Sequence, residues 1–480
     1  MIKEGYIPKQ ERKKILLLSD DIRMSSGVAT MAREIVTGTS HRYNWVNLGA
    51  GINHPDVGKR FDLSQDNNNV TGIPDSSIYI YPNSGYGDPT ILRQLLEVEK
   101  PDAIMFFTDP RYWIWLFNME NELRQKLPLI YLNIWDEYPA PIYNKPYYES
   151  CDGLLAISKQ TFNINKIVLG ESSKDKVIKY VPHGINKNHF YPIKEENEQE
   201  WNNFNIFKNH AFGKNEYEFV VLYNARNIRR KSVPDLMLAY SKFCDNIGPE
   251  KSKKCVLLMH TQPVDENGTD LYAVRDLICN PETCNIIFST GRLGVKEMNY
   301  LYNMSDVTAL VSSNEGWGLS LTESMMAGKM IIANTTGGMQ DQMRFVDENN
   351  RWIDFDEDFP SNHLGTYTNH GEWAEPVYPS NLSIVGSLPT PYIFDARASV
   401  EDITRAIENV YNLSKEERTR RGLEGMKWVQ SDESMMSSEN MSKNVISGID
   451  ETLLKWKPKK RFQIIKSEKI LPKKAQHKLI

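Results

Sequence analysis

Glu315 and Glu323 lie in the stretch NEGWGLSLTESMMAGKMIIANTTGG, residues 314–338, with seven residues between them. Gly316 and Gly318 follow the first carboxylate, and Gly337 and Gly338 close the segment. DVTALVSS before it reads as a strand and LSLTESMMAG as a helix ending at Gly328, so NEGWG is a strand-to-helix loop. The start of such a helix, near Gly318–Ser320, offers unpaired backbone N–H groups and the positive end of the helix dipole. Glycines there allow close backbone approach, which suits a phosphate. Glu323, about one turn into the helix, can accept two hydrogen bonds from a vicinal diol such as a ribose. Glu315, in the loop, can hold a hydroxyl-rich group on the other side. Phosphate donors flanked by two hydroxyl acceptors describe a nucleotide-sugar site. In isolation, such a pair reads instead as a helix-start charge and a solvated loop charge, so the rest of the chain has to decide.

The elements that would carry this loop form two series. KILLLSD (14–20), DAIMFFTD (102–109), LPLIYLNIWD (127–136), CDGLLAISK (151–159) and DKVIKYVPHG (175–184) read as buried strands separated by segments mostly long enough for crossover helices. The pattern restarts with EFVVLYNAR (218–226), KCVLLMHTQ (254–262), NIIFSTG (285–291), DVTALVSS (306–313) and KMIIANTT (329–336). Strands alternating with helices predict parallel sheets covered on both faces. The fold class is therefore α/β, two doubly wound Rossmann-like domains facing a cleft, with ligands at the carboxyl ends of both sheets. The expected division is residues 1–190 for an N-terminal acceptor-side domain, 191–217 for a linker and 218–440 for a C-terminal nucleotide-sugar domain. Residues 441–456 are expected as a helix crossing back and 457–480 as a basic tail. Residues 352–395 break the alternation; their Trp373, Tyr378, Tyr392 and Phe394 predict an ordered excursion.

Composition excludes several classes. The chain has 480 residues, too many for one core, and 40% apolar with 25% charged residues is ordinary for a globular protein. A net charge of −5 gives the whole molecule no strong pull toward polyanions. No apolar run approaches the length of a spanning helix, and MIKEGYIPKQERKK lacks the apolar region of a secretory signal. The five cysteines, odd in number, predict no disulfide framework, and Cys279 and Cys284 lack a second pair at zinc-site spacing. A reducing cytoplasm is expected.

Taken with its neighbours, the glutamate segment resembles the family-4 glycosyltransferases of the GT-B fold. EGWGLSLTE is similar to that family's Glu-x7-Glu segment, and VPHGINKNHFYP (181–192) to its interdomain strand and turn. NARNIRRKSVPDLMLAY (224–240) resembles its Arg-x4-Lys element through Arg226 and Lys231, with Arg229 and Arg230 beside them able to shift the match by a residue. IIFSTGRLGVKEMNYLYNMSDV is similar to the loop and helix that precede the Glu-x7-Glu strand. SDDIRMSSGVATMAREI occupies the place of the N-terminal Gly-rich loop. The resemblance spans residues 14 to 450. It implies retaining transfer of a hexose or pentose from a nucleoside diphosphate sugar to a hydroxyl acceptor, with no metal and no cofactor besides that donor. Arg226 and Lys231 would neutralise the diphosphate leaving group. Glu315 and Glu323 would bind opposite ends of the donor, and Gly27 and Val28 would bring backbone near its phosphate and the acceptor. Gly316, Trp317, Gly318, Leu319 and Arg292 would complete the donor site, with nucleobase choice falling to the loop Thr290–Leu293. Same-face attack, the departing phosphate oxygen helping to deprotonate the acceptor, explains why no two-carboxylate glycosidase pair is evident.

The chain departs from that family in places. Where the family has a His after the strand matching LIYLNIW, this chain has Trp135, Asp136 and Glu137. Asp136 either takes over a polar, catalytic role at the cleft or caps the following segment. His183, in the VPHG turn, is expected to be structural or cleft-lining. After Gly338 an acid comes later than in the family pattern, and 352–395 exceeds it. DFDED (354–358) is expected to be solvated. A non-catalytic nucleotide-sugar-binding protein, an epimerase and a phosphorylase are the other classes; the last needs a pyridoxal lysine with no clear candidate here. Finally, residues 455–478 hold ten Lys or Arg against Glu468 alone, a charge of +9 that leaves the rest at −14. That tail suits a polyanion or an anionic membrane, or is simply solvated. Among these, the expected acceptor is DNA with hydroxylated bases, as in virus-encoded DNA glycosyltransferases, which would place the protein in a host cytoplasm; a glycan or lipid acceptor is the alternative. Ile464, Ile465, Ile470 and Leu471 could instead pack the tail on the N-terminal domain.

Overall fold

The computed structural model describes residues 4–51, 53–354 and 365–460. The N-terminal sheet contains β1 (Lys13–Asp20), β2 (Tyr43–Gly51), β3 (Phe61–Asp62), β4 (Ile78–Ser84), β5 (Ala103–Phe107), β6 (Leu129–Asn133), β7 (Gly153–Ala156) and β8 (Val177–Tyr180). Their order is β3-β4-β2-β1-β5-β6-β7-β8, parallel except for the β3–β4 pair. The β5, β6 and β7 residues are all buried, as strands covered on both faces must be. The sequence pattern marks none of β2, β3 and β4. Asn44 and Asn47 interrupt the apolar run of β2, and Pro82 sits in β4, where proline normally argues against a strand.

The second sheet contains β9 (Phe219–Asn224), β10 (Cys255–His260), β11 (Ile286–Ser289), β12 (Val307–Leu310), β13 (Met330–Asn334) and β14 (Ala374–Val377), in the order β11-β10-β9-β12-β13-β14. Every neighbouring pair is parallel. Strand order reverses between β9 and β12, and in the first sheet between β1 and β5. At such a point neighbouring crossovers diverge and leave a crevice at the carboxyl ends of the strands. The loops carrying Arg226 and Lys231 and carrying Glu315 follow β9 and β12 respectively, and the loop before Gly27 follows β1.

Two segments carry more regular structure than the sequence pattern marks. The 191–217 stretch is more than a linker: Glu198–Phe212 is a helix whose Phe204 and Phe207 set their rings 6.0 and 5.7 Å from Tyr300. The 352–395 excursion supplies β14 and then a two-stranded antiparallel hairpin, β15 (Asn381–Ser387) and β16 (Thr390–Arg397). Most of DFDED lies outside the described residues.

The last helix among the described residues, Ser438–Lys455, lies on the N-terminal domain. Tyr43 Oη donates to Asp450 at 2.7 Å, and Gly153 and Gly448 leave only enough room for Thr452 and Leu155 against it. Beyond it, Lys459 pairs with Glu120 at 2.6 Å. The remainder of the tail, with Ile464, Ile465, Ile470 and Leu471, lies outside the described residues. One continuous buried cluster joins Leu17, Ile157 and Val181 of the first domain to Val221, Trp317 and Leu321 of the second.

Candidate functional site

The loop after β9 turns through a short 3-10 segment, Arg229–Lys231, that presents two cations to the loop after β12. Arg230 Nη1 donates to Glu315 Oε2 at 2.8 Å and to the Asn314 carbonyl at 2.9 Å, and Lys231 Nζ closes on the same carboxylate oxygen. Burial alone would raise the Glu315 carboxyl, but the Arg230 guanidinium and the Lys231 ammonium outweigh it and hold it at about 2. Burial pulls Lys231 down, opposed by Glu315.

Across the cleft stands Asp136, just past β6. Its carboxylate is 3.7 Å from Arg230 Nε, and its carbonyl accepts from the Glu315 N–H at 3.3 Å. Burial raises the Asp136 carboxyl against the opposing pull of Arg230. Gly316 makes this approach possible: a Cβ there would meet Ile134 at 2.9 Å and the Asp136 carboxylate at 3.0 Å. Asp136 thus faces the cation cluster from the other domain.

Gly318, at φ +90, caps the helix Leu319–Met326 in a backbone conformation that disfavours side chains. Leu319 lies opposite Gly27, where a Cβ would come within 3.2 Å of it. Gly27 opens the helix Gly27–Thr39, capped by Ser26 Oγ accepting from Ala29 N–H, and half-buried Val28 follows. The start of this helix therefore meets the start of the Leu319 helix across the cleft.

Glu323 sits in that second helix in a different setting. Tyr302 Oη donates to it at 2.5 Å and itself accepts from Asn224 Nδ2 at 2.7 Å. Burial raises the Glu323 carboxyl to about 7, partly offset by the phenol.

Other expected residues lie apart from this cluster. The Arg226 side chain is 62% exposed and pairs with Asp265 at 2.7 Å, whereas Lys231 is 10% exposed on Glu315. Arg292 is exposed in the loop after β11. The Trp317 ring is buried, its Nε1 donating to Thr322 at 3.0 Å, so only its backbone faces the loop's surroundings. His183 is buried between the rings of Phe107 and Trp317, and burial lowers it to about 3. Sequence reasoning named Arg230 only as a neighbour able to shift the Arg226–Lys231 match, and passed over Tyr302. Arg230 had a local signal, its place beside Lys231 in RRK; Tyr302 had none outside the fold.

The architecture matches known proteins over nearly its whole length. HepE of Anabaena, in complex with UDP and glucose, superposes with a TM-score of 0.60 at 12% identity, covering 92% of this chain and 100% of that one. Sucrose-phosphate synthase of Thermosynechococcus elongatus gives 0.61 at 14% identity, covering 92% and 99%. An α,α-trehalose 6-phosphate synthase of Burkholderia multivorans gives 0.59 at 10%, again covering 92% and 99%. No curated protein matches the chain by sequence. These likenesses show a GT-B-like fold. More particularly, residues 205–353 match the model described as Glycosyl transferases group 1, a stretch that contains Arg226, Arg230, Lys231, Glu315 and Glu323.

Proposed function

We propose that the chain is a retaining glycosyltransferase that moves a hexosyl or pentosyl group from a nucleoside diphosphate sugar to a hydroxyl acceptor. The observation that carries this reading is the cluster of Arg230 and Lys231 on Glu315 at the switch point of the second sheet, faced by Asp136 from the first. In the transfer, the bond from the sugar's anomeric carbon to the diphosphate oxygen breaks with its electron pair going to that oxygen. Lys231 and Arg230, with Arg226 swinging from Asp265, stabilise the developing charge. The acceptor oxygen bonds the same carbon on the same face, and its proton passes to the departing phosphate oxygen. Asp136 lies on the acceptor side and orients the incoming hydroxyl. Glu323 accepts from the ribose diol, Glu315 from sugar hydroxyls, and the backbone around Gly27, Val28, Gly316, Gly318 and Leu319 approaches the phosphates. Arg292 flanks the base.

This chemistry needs fixed cations rather than a metal. Activity is expected to survive EDTA; full loss in chelator, restored by Mn²⁺ or Mg²⁺, overturns that part. UDP-glucose, bound by a neighbour of the same fold, is the first donor to try, in a mass-spectrometric screen with GDP- and ADP-sugars. Nucleotide binding without turnover of any donor would favour a binding protein instead. The five free thiols suit a reducing cytoplasm.

The basic stretch 455–478 supports a polyanionic acceptor, DNA with hydroxylated bases. Its first residues lie on the N-terminal domain, the acceptor side, where Lys459 meets Glu120. Truncation after Trp456 is expected to reduce transfer to modified DNA and flatten its salt dependence while sparing a small hydroxyl acceptor. Equal loss on both acceptors makes the tail structural, and no transfer to DNA at any salt removes this acceptor.

A further inference from the structure

The β15–β16 hairpin touches both domains beside the cleft. Its cross-strand pairs include Ile384 with Phe394 and Leu382 with Ala396. In an antiparallel ladder, alternate pairs turn their N–H groups away from the partner strand. Phe394 and Ala396 are such residues, and their outward N–H groups go to different domains. Phe394 N–H donates to the Tyr138 carbonyl at 2.6 Å, and Ala396 N–H donates to the Ser313 carbonyl at 2.8 Å. Tyr138 is two residues past Asp136, and Ser313 two residues before Glu315.

Side chains reinforce each attachment. On the N-terminal side, Tyr392 Oη donates to the Ala140 carbonyl at 3.2 Å and accepts from Ile142 N–H at 3.3 Å, while Tyr143 Oη donates to the Tyr392 carbonyl at 2.9 Å. On the C-terminal side, Asn334 Nδ2 donates to the Ala396 carbonyl at 2.7 Å, and Arg397 grips Asp235 with two bonds of 2.8 Å. The direct contacts between Asp136 and the opposite loop are longer, 3.3 Å to the Glu315 N–H and 3.7 Å to Arg230. The shorter bonds through the hairpin carry more of the geometric constraint than these.

We propose that β16 is a positioning strap: through Phe394 and Ala396 it ties the Asp136 turn to the Glu315 strand end and sets the distance across which sugar transfer occurs. The role rests on the transfer reading above. Nucleophile and sugar must be held near reacting distance, and a misplacement of about 1 Å costs on the order of a hundredfold in rate. The strap acts through Asp136 and Glu315 and touches neither substrate. Its loss therefore lowers kcat for transfer more than it changes donor affinity.

Phe394→Pro tests this at one atom. Proline removes the N–H that bonds Tyr138, and because that N–H faces away from β15 the hairpin ladder stays intact. Ile384→Pro is the matched control, on the opposite strand of the same pair, where none of the described residues accepts from the N–H. Phe394→Ala keeps the donor and removes only the ring. The expected result is a fall of about tenfold or more in kcat for Phe394→Pro alone, with donor KM within about twofold. Hydrogen exchange at residues 136–140 and 312–315 should rise in the same variant and not in the controls. Tyr392→Phe, which loses the hydroxyl contacts but keeps both strand bonds, should give the same pattern at smaller amplitude, and decides the matter if Phe394→Pro does not fold. Unchanged exchange in both strap variants, or equal loss of transfer in Phe394→Ala, overturns the strap. If the wild type turns over no nucleotide-sugar, the transfer reading fails, and exchange still decides whether the strap holds the two loops.

Discussion

Glu315 and Glu323 belong to one short segment, yet their surroundings push them in opposite directions. Glu315 is gripped by two cations from the next loop and held at about 2; Glu323 meets one phenol and is raised by burial to about 7. The difference follows from where each lies. A loop at the switch point faces the loop of its neighbouring strand, so charged side chains from two elements converge there. A residue inside the following helix faces the flank of the sheet, where Tyr302 and Asn224 offer neutral partners only. Equal residue types at this spacing therefore give one carboxyl ionised throughout the neutral range and one raised to about 7.

Removing a cation has the largest expected effect. Lys231→Ala is expected to lower kcat by about two to three orders of magnitude, as loss of a charge stabiliser typically does. Arg226→Ala should also lower kcat while leaving the unfolding midpoint unchanged, because its ion pair with Asp265 is exposed. A kcat for Arg226→Ala equal to wild type would pass its role to Arg230.

The next test concerns stability. The Glu315 carboxyl falls from an ordinary 4.5 to about 2 on folding. A lowered folded value stabilises fully above about 4.5 and is lost as pH falls through about 2. The amount is about 3 kcal/mol, from 1.36 kcal/mol per unit. Glu323, raised instead, opposes folding increasingly as pH rises from about 4.5 through about 7. Urea unfolding across this range, in wild type and in Glu315→Gln, checks both slopes. An acid limb that is unchanged in Glu315→Gln would remove the cation clamp from the account.

Much of this arrangement was legible in the sequence, and the reasons for the rest are physical. Buried parallel strands such as β5 and β6 are continuous apolar runs and stand out; β2 and β4, carrying asparagine and proline, do not. The Glu-x7-Glu spacing and Lys231 are visible because loop chemistry is local. The meeting of Asp136 with Arg230 is not, because it joins residues of different domains. Nor is the pairing of Arg226 with Asp265, which the loop after β10 supplies. The hairpin escaped because residues 381–397 read as a continuation of a Pro- and Gly-rich excursion.

At smaller scale, Glu323→Ala is expected to raise donor KM by roughly one to two orders of magnitude, since a charge-assisted hydrogen bond contributes about 1.5–3 kcal/mol. Donor affinity measured by calorimetry should fall in parallel, with kcat less affected. An unchanged KM would show that Glu323 does not hold the ribose.

The smallest expected effect is the sharpest. If ionised Glu323 accepts from the ribose diol, kcat/KM for the donor rises with pH through about 7, because that ratio reports groups of the free enzyme. The Tyr302 phenol donates to the carboxylate and so favours its charged form. Removing it in Tyr302→Phe takes away about 1.5 kcal/mol of that preference, roughly one unit. The rising limb should therefore move upward by about that much, while the plateau at high pH stays near the wild-type value. A limb that stays in place would mean that another group titrates there. A downward shift would mean that the donor binds the protonated carboxyl, with Glu323 donating rather than accepting, and the contrast between the two glutamates would then be one of hydrogen-bond direction as well as charge.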